Sequence, residues 1–78
     1  MDPDGPALEA ARRHLGLSNR QAWLGYLAVG GNGSPADMAL WLAGSKPLPR
    51  RDHDLIAQSI NDVAVGRGGN HPAPYLEP

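Results

Sequence analysis

Three consecutive residues of this sequence, Asp52, His53 and Asp54, are of the types that bind metal ions. Successive residues of a helix point about 100° apart, so these side chains do not converge on one ion if the segment is helical. The other histidines, His14 and His71, are remote in the sequence, and there is no cysteine to supply a thiolate. The pattern therefore predicts no metal site.

Two further features resemble parts of cofactor-binding or catalytic sites. Residues 30–33 are rich in glycine and precede a predicted helix, but the lysine of a phosphate-binding P-loop does not follow them. We interpret them as a flexible connection. A catalytic serine needs a neighbouring base, and no serine here has a histidine at a suitable spacing, while Ser18 and Ser34 fit helix N-caps. We therefore predict a protein that is not an enzyme and binds no cofactor.

Four predicted helices would position these residues. Ser18 with Gln21 has the spacing of a capping box, and Ser34 followed by Pro35 supplies an N-cap and a proline at the first helical position. Apolar residues recur at spacings of three and four, and no alternation typical of strands occurs. The predicted helices span residues 6–15, 19–29, 35–43 and 50–65, the last beginning at 49 or 50.

These segments predict an all-α fold, a small bundle of four helices with an extended C-terminal tail. A chain of 78 residues forms one domain at most, and we expect the helical domain over residues 1–66. Residues 67–78 contain three prolines and two glycines, which predicts a tail that is extended or disordered. Tyr75 and Leu76 are available to dock it onto the helices.

Composition narrows the class of function. A net charge of −1, from seven basic and eight acidic side chains, gives no general attraction to nucleic acid or anionic lipid. No segment approaches the roughly 20 apolar residues of a membrane span, and the first residues do not read as a signal peptide. Without disulfides, a cytoplasmic location is expected. Because large apolar residues are few, a homodimer or another protein partner that completes the core is an open alternative.

The aromatic residues are the candidate partner contacts. Trp23 and Trp41 lie on consecutive predicted helices, where they either pack in the core or expose a ring as an anchor. Tyr26 lies off the apolar stripe that contains Trp23, so we expect it to be the more exposed. Tyr75 belongs to the proline-rich segment 72–76, a second candidate contact that loses little entropy on binding. These residues predict a regulatory protein–protein interaction module.

Residues 39–62 resemble the second half of a helix-turn-helix domain of the phage-repressor type. In that family the recognition helix commonly ends in Trp-Leu and a glycine, before a proline-bearing link and a helix containing Ile-Ala. The matching residues are Trp41, Leu42, Gly44, Pro47, Ile56 and Ala57. The resemblance implies DNA binding as the alternative function, with Lys46, Arg50 and Arg51 as candidate phosphate contacts. The third helix has no Arg, Lys, Asn or Gln to read base edges, so nucleic acid is the less favoured partner.

The whole chain is also similar to small, uncharacterised all-helical proteins of GC-rich Gram-positive bacteria. Those proteins share a Pro-Leu-Pro link and a His-Pro-x-Pro-Tyr ending, which are residues 47–49 and 71–75 here. This resemblance implies a helical fold and carries no activity with it.

Overall fold

The computed structural model describes residues 2–76 and confirms the predicted all-α fold. The helices are α1 (Gly5–His14), α2 (Asn19–Ala28), α3 (Pro35–Ala43) and α4 (Arg50–Gly66). Each helix begins and ends within one residue of its predicted bound, and residues 2–76 contain no strand. Residue 1 of the predicted domain and residues 77 and 78 of the predicted tail lie outside the described residues.

Local polar contacts and glycine set the helix ends. The Ser18 and Ser34 hydroxyls each accept a hydrogen bond from the backbone N–H three residues on, and the Gln21 and Asp37 side chains accept one from the cap residue's N–H. Each capping box satisfies backbone donors that have no partner within the helix. Gly44 ends α3 with a φ of 77°, a left-handed conformation that glycine adopts without steric penalty.

The helices pack in pairs around one apolar core. α2 packs against α3 and α4, and α1 packs against the same two helices. The core is therefore covered by all four helices, and its largest fully buried apolar side chains are Leu8, Tyr26, Met38, Ile56 and Ile60.

Gly5 allows α1 to approach α3 closely. A Cβ atom at position 5 would lie only 1.8 Å from the carbonyl oxygen of Trp41, in the last turn of α3. No side chain fits in that space, so the backbone at the start of α1 lies directly against the end of α3. This contact fixes where α3 ends relative to α1.

Residues 69–76 return along α4 without helix or strand and are called the C-terminal strap. The Asn61 side chain donates to the carbonyl of Ala73 and accepts from its N–H, both at 2.9 Å. Ala73 and Leu76 are buried, whereas Tyr75 is exposed. The expected docking of the tail through Leu76 is therefore confirmed, and docking through the Tyr75 side chain is wrong.

Two glycine substitutions test the contact between α1 and α3. We expect Gly5→Ala to lower the free energy of unfolding by about 1–3 kcal/mol, because the added methyl group forces the two backbones apart. Gly66→Ala is the matched control: no atom lies within 4 Å of its added Cβ, and alanine favours the helix by up to about 1 kcal/mol. Urea unfolding followed by tryptophan fluorescence measures both variants. Equal stability of Gly5→Ala and the parent chain would contradict the close approach.

Candidate functional site

The Tyr26 hydroxyl joins α2, α4 and the loop between α2 and α3. It donates to Oδ1 of Asp52 at 2.5 Å and accepts from the backbone N–H groups of Asn32 at 3.2 Å and Gly33 at 2.9 Å. Its ring packs edge-on against Trp41, with ring centroids 6.1 Å apart. Burial, followed by the hydrogen bond to Asp52, raises the pKa of Tyr26. The proton therefore stays on the tyrosine, where it is shared with Asp52 in a hydrogen bond that joins α2 to α4.

Side chains anchor the glycine-rich loop of residues 30–33. Trp23 donates through Nε1 to the carbonyl of Gly33 at 2.9 Å, and Arg51 donates through Nη2 to the carbonyl of Gly30 at 2.8 Å. Added Cβ atoms at Gly31 and Gly33 would come within 3 Å of aromatic rings. The interpretation of this loop as a flexible connection is thus wrong, because its glycines allow aromatic rings to contact the backbone.

The structure corrects two of the predicted partner contacts. Tyr26 is fully buried and Trp41 is only 6% exposed, so neither ring offers a surface to a partner. The prediction that Tyr26 is exposed treats the stripe that contains Trp23 as the buried side of α2. The buried residues of α2 are instead Ala22 and Tyr26, which lie one turn apart. Trp23 is half-buried and Tyr75 is exposed, so these two remain candidate contacts.

The predicted phosphate contacts lie near acidic side chains or carbonyl groups of the same chain. Lys46 Nζ lies 2.6 Å from Oδ1 of Asp37, and this contact lowers the pKa of that carboxyl. Arg51, besides its bond to Gly30, lies 3.9 Å from Asp52. The hydrogen bond from the Leu76 N–H is the main cause of the lowered pKa of Asp54, and the charge of Arg50 adds to the shift. These cations therefore already have favourable electrostatic partners.

The side chains of Asp52, His53 and Asp54 have separate surroundings. Asp52 accepts from Tyr26, whereas Asp54 accepts from the backbone N–H of Leu76 at 3.0 Å. His53 is fully buried; its Nδ1 lies 3.2 Å from Asp54 Oδ1, and its Nε2 has no hydrogen-bond partner among the described residues. Residues 2–76 contain no group of three or more metal-ligating side chains that could hold an ion.

Two surface clefts lie beside the helices. One, of about 430 Å³, lies between the start of α1 and the link after α3, and it contains Ser45 but no histidine. The other, of about 230 Å³, lies between the end of α1 and the C-terminal strap, and it contains His14 but no serine. Neither cleft therefore brings a serine together with a histidine.

Helix α3 exposes an apolar face that the sequence analysis did not single out. Its buried residues are Met38, Trp41 and Leu42. The opposite side, here called the α3 outer face, consists of Ala36, Ala39, Leu40 and Ala43, which are all exposed. Asp37 is the only charged or polar residue of the helix, which is the sequence signal for such a face. A helix that is apolar all round is usually covered on all sides, so this face is the best candidate for contact with a partner.

No helix among residues 2–76 is long and apolar enough to cross a membrane.

Tyr26→Phe tests the hydrogen bonds around the tyrosine hydroxyl. We expect the free energy of unfolding to fall by about 1–3 kcal/mol, because a buried carboxylate and two loop N–H groups lose their partner. Tyr75→Phe removes the same atom from an exposed ring and is expected to leave stability unchanged. Urea unfolding measures both variants, and equal losses from the two changes would contradict a special role for Tyr26.

Acid is expected to weaken the contact between Asp54 and the strap. The hydrogen bond from the Leu76 N–H lowers the pKa of Asp54 in the folded chain. Its contribution to stability is therefore complete above the unfolded pKa of about 4 and is lost as pH falls through the lower folded value. Glu9, whose pKa is lowered by its hydrogen bond with Arg12, adds a change of the same sign.

The measurement is the free energy of unfolding as a function of pH. We expect Asp54→Asn to reduce the loss of stability between about pH 6 and pH 3. Asp62→Asn, an exposed change on the same helix, is the control and should retain the steeper dependence of the parent chain. An unchanged pH dependence in Asp54→Asn would show that this carboxylate does not hold the strap.

No protein-family model matches this sequence, and neither a curated protein nor a solved structure is significantly similar to it. The resemblance to a phage-repressor-type helix-turn-helix domain therefore stays a prediction, as does the resemblance to small bacterial helical proteins.

Proposed function

We propose that this chain is a non-catalytic, regulatory protein–protein interaction module of the cytoplasm, and that the α3 outer face is its contact surface. One observation carries the proposal: a helix with a single charged residue leaves a complete apolar side open to solvent. Leu40 in the middle of this face is 44% exposed. Exposed apolar surface of this kind is typical of sites that another protein covers.

The composition of the α3 outer face favours a helical partner with an apolar, uncharged side. Three of its four residues are alanine, so a partner helix can approach the α3 backbone closely. The nine residues of α3 span about 13.5 Å, which matches two to three turns of a partner helix. The nearby Asp37 side chain is paired with Lys46, so it does not oppose an uncharged partner.

Helix α2 also carries exposed apolar surface. Leu24 is 44% exposed, and Trp23 is half-buried with its ring nitrogen already bonded to Gly33. Because that nitrogen needs no further acceptor, the exposed part of the Trp23 ring can contact an apolar partner without losing a hydrogen bond. Trp23 therefore stays in the proposal, whereas Tyr26 and Trp41 act from the interior by shaping α2 and α3.

The alternative, a DNA-binding regulator, has less support. A recognition helix presents hydrogen-bonding side chains to base edges, whereas the α3 outer face consists of alanine and leucine. Lys46 and Arg51 would have to exchange their contacts with Asp37 and Gly30 for phosphates. Both features favour a protein partner over a duplex.

Substitution of Leu40 tests the proposed surface. We expect Leu40→Lys to abolish capture of a partner from lysate of the native host, because a charge would be buried in an apolar contact. A lysine in the last turn of α3 also suits the helix dipole, so the fold should be retained. Gln58→Lys places the same charge on an exposed position of α4 and should capture the partner like the parent chain. Quantitative mass spectrometry of the three captures gives the comparison.

Two parallel measurements separate the other outcomes. Sedimentation of the purified chain shows whether the partner is a second copy, since Leu40→Lys would then dissociate a dimer. Anisotropy with a mixed-sequence duplex shows whether binding weakens steeply with salt, which would replace this proposal by the DNA-binding one. If the parent chain and Leu40→Lys capture the same proteins, the α3 outer face is not the contact surface.

A further inference from the structure

The C-terminal strap runs antiparallel to α4 and contacts it at three successive levels. The N–H of Gly69 donates to the carbonyl of Ala64 at 2.8 Å, Ala73 pairs with Asn61, and Leu76 donates to Asp54. The strap therefore passes from the end of the helix towards its beginning and stays beside it.

The spacing of these contacts matches an extended peptide. Asn61 and Asp54 are separated by two helical turns, or about 10.5 Å at 1.5 Å per residue. Ala73 and Leu76 are three residues apart, and an extended chain covers about 10 Å in three residues. The two polar side chains are thus placed at the interval at which an extended segment presents residues i and i+3.

The polar contacts to the strap recognise its backbone. The Asn61 carboxamide donates to the carbonyl and accepts from the N–H of one residue, as a neighbouring β-strand would. Asn61 is 1% exposed in the presence of the strap, and Ala73 of the strap supplies both hydrogen-bond partners of this buried amide. Any extended peptide supplies the same backbone groups. These hydrogen bonds therefore do not depend on which side chain stands at the position of Ala73, and only the size of that side chain matters.

Side-chain burial defines which peptides fit. Ala73 is 2% exposed, which leaves no space for a larger residue at the first position. Leu76 is buried and must keep its N–H for Asp54, so the fourth position is apolar and not proline. Pro74 and Tyr75 lie between them with more of their surface in solvent. The pattern is a small residue, two variable residues and an apolar residue.

We propose that the surface of α4 around Asn61 and Asp54 is a binding site for extended peptides of the pattern Ala-x-x-Leu, and that the strap is its resident ligand. Residues 67 and 68 connect α4 to the strap, and Gly68 and Gly69 give this connection the conformational freedom of glycine. A peptide of the same pattern from another protein displaces the strap. This site is formed by α4 and does not depend on the α3 outer face.

The test uses the full chain with its own strap disabled. Ala73→Asp places a charge in the strap and leaves the α4 surface intact. The probe is a fluorescein-labelled peptide with the sequence of residues 70–78, followed by anisotropy. We expect it to bind Ala73→Asp at least about tenfold more tightly than the parent chain, in which the resident strap competes at a high effective concentration. The same peptide carrying aspartate at its alanine position should not bind.

The double variant Ala73→Asp with Asn61→Ala should lose binding of the labelled peptide. Hydrogen exchange provides an independent measurement, since Asn61→Ala alone should accelerate exchange of the Ala73 N–H, and Asn70→Ala at the exposed start of the strap should not. A folded Ala73→Asp chain that does not bind the peptide would overturn the proposal. So would an unfolded Ala73→Asp chain, because the fold would then require the bound strap. Neither result bears on the proposed function, which is tested separately by comparing partner capture by the parent chain and by Leu40→Lys.

Discussion

The hydroxyl of Tyr26 is the point on which the arrangement of the other elements depends. A buried carboxylate is costly unless it is paired, and this hydroxyl pairs Asp52 on α4 with the partly buried N–H groups of Asn32 and Gly33. It is a donor towards the carboxylate and an acceptor from the loop, so the orientation of all three groups is fixed together. Because α3 begins two residues after Gly33, the same contact sets the position of its first turn.

The open face of α3 follows from how the helix is held at both ends. Its first turn is fixed through the loop and Tyr26, and its last turn lies against the backbone of α1 at Gly5. Between these points, Met38 and Trp41 are buried, and the helix packs against α1 and α2. A short helix anchored in this way needs no contribution from its other side, so the packing of the fold gives no reason for that side to be apolar.

Features that depend on residues close together in the sequence were predicted, whereas features that depend on residues far apart in the sequence were not. The capping serines and Gly44 act within a few residues, so the bounds of the helices were predictable. The inward side of α2 was not, because Tyr26 is drawn inside by Asp52, a residue 26 positions away. Docking of the strap through Leu76 was predicted, but the pairing of Asn61 with Ala73 was not, since nothing near Asn61 in the sequence indicates a partner twelve positions away. Of the candidate contacts, Trp23 and Tyr75 remain predictions.

Two buried polar contacts between α4 and other segments differ in kind, and the difference decides which of them can be exchanged. Asp52 needs a phenolic hydroxyl at one position, and that hydroxyl is in turn used by the loop, so no other group replaces it without loss elsewhere. Asn61 needs only a backbone carbonyl and N–H, which every extended residue offers. A hydrogen bond between two side chains requires both of those residues, as Asp52 and Tyr26 show. A hydrogen bond to the backbone can be made by any segment that fits the spacing, as for Asn61. One helix therefore carries a permanent junction near its beginning and a replaceable one further along.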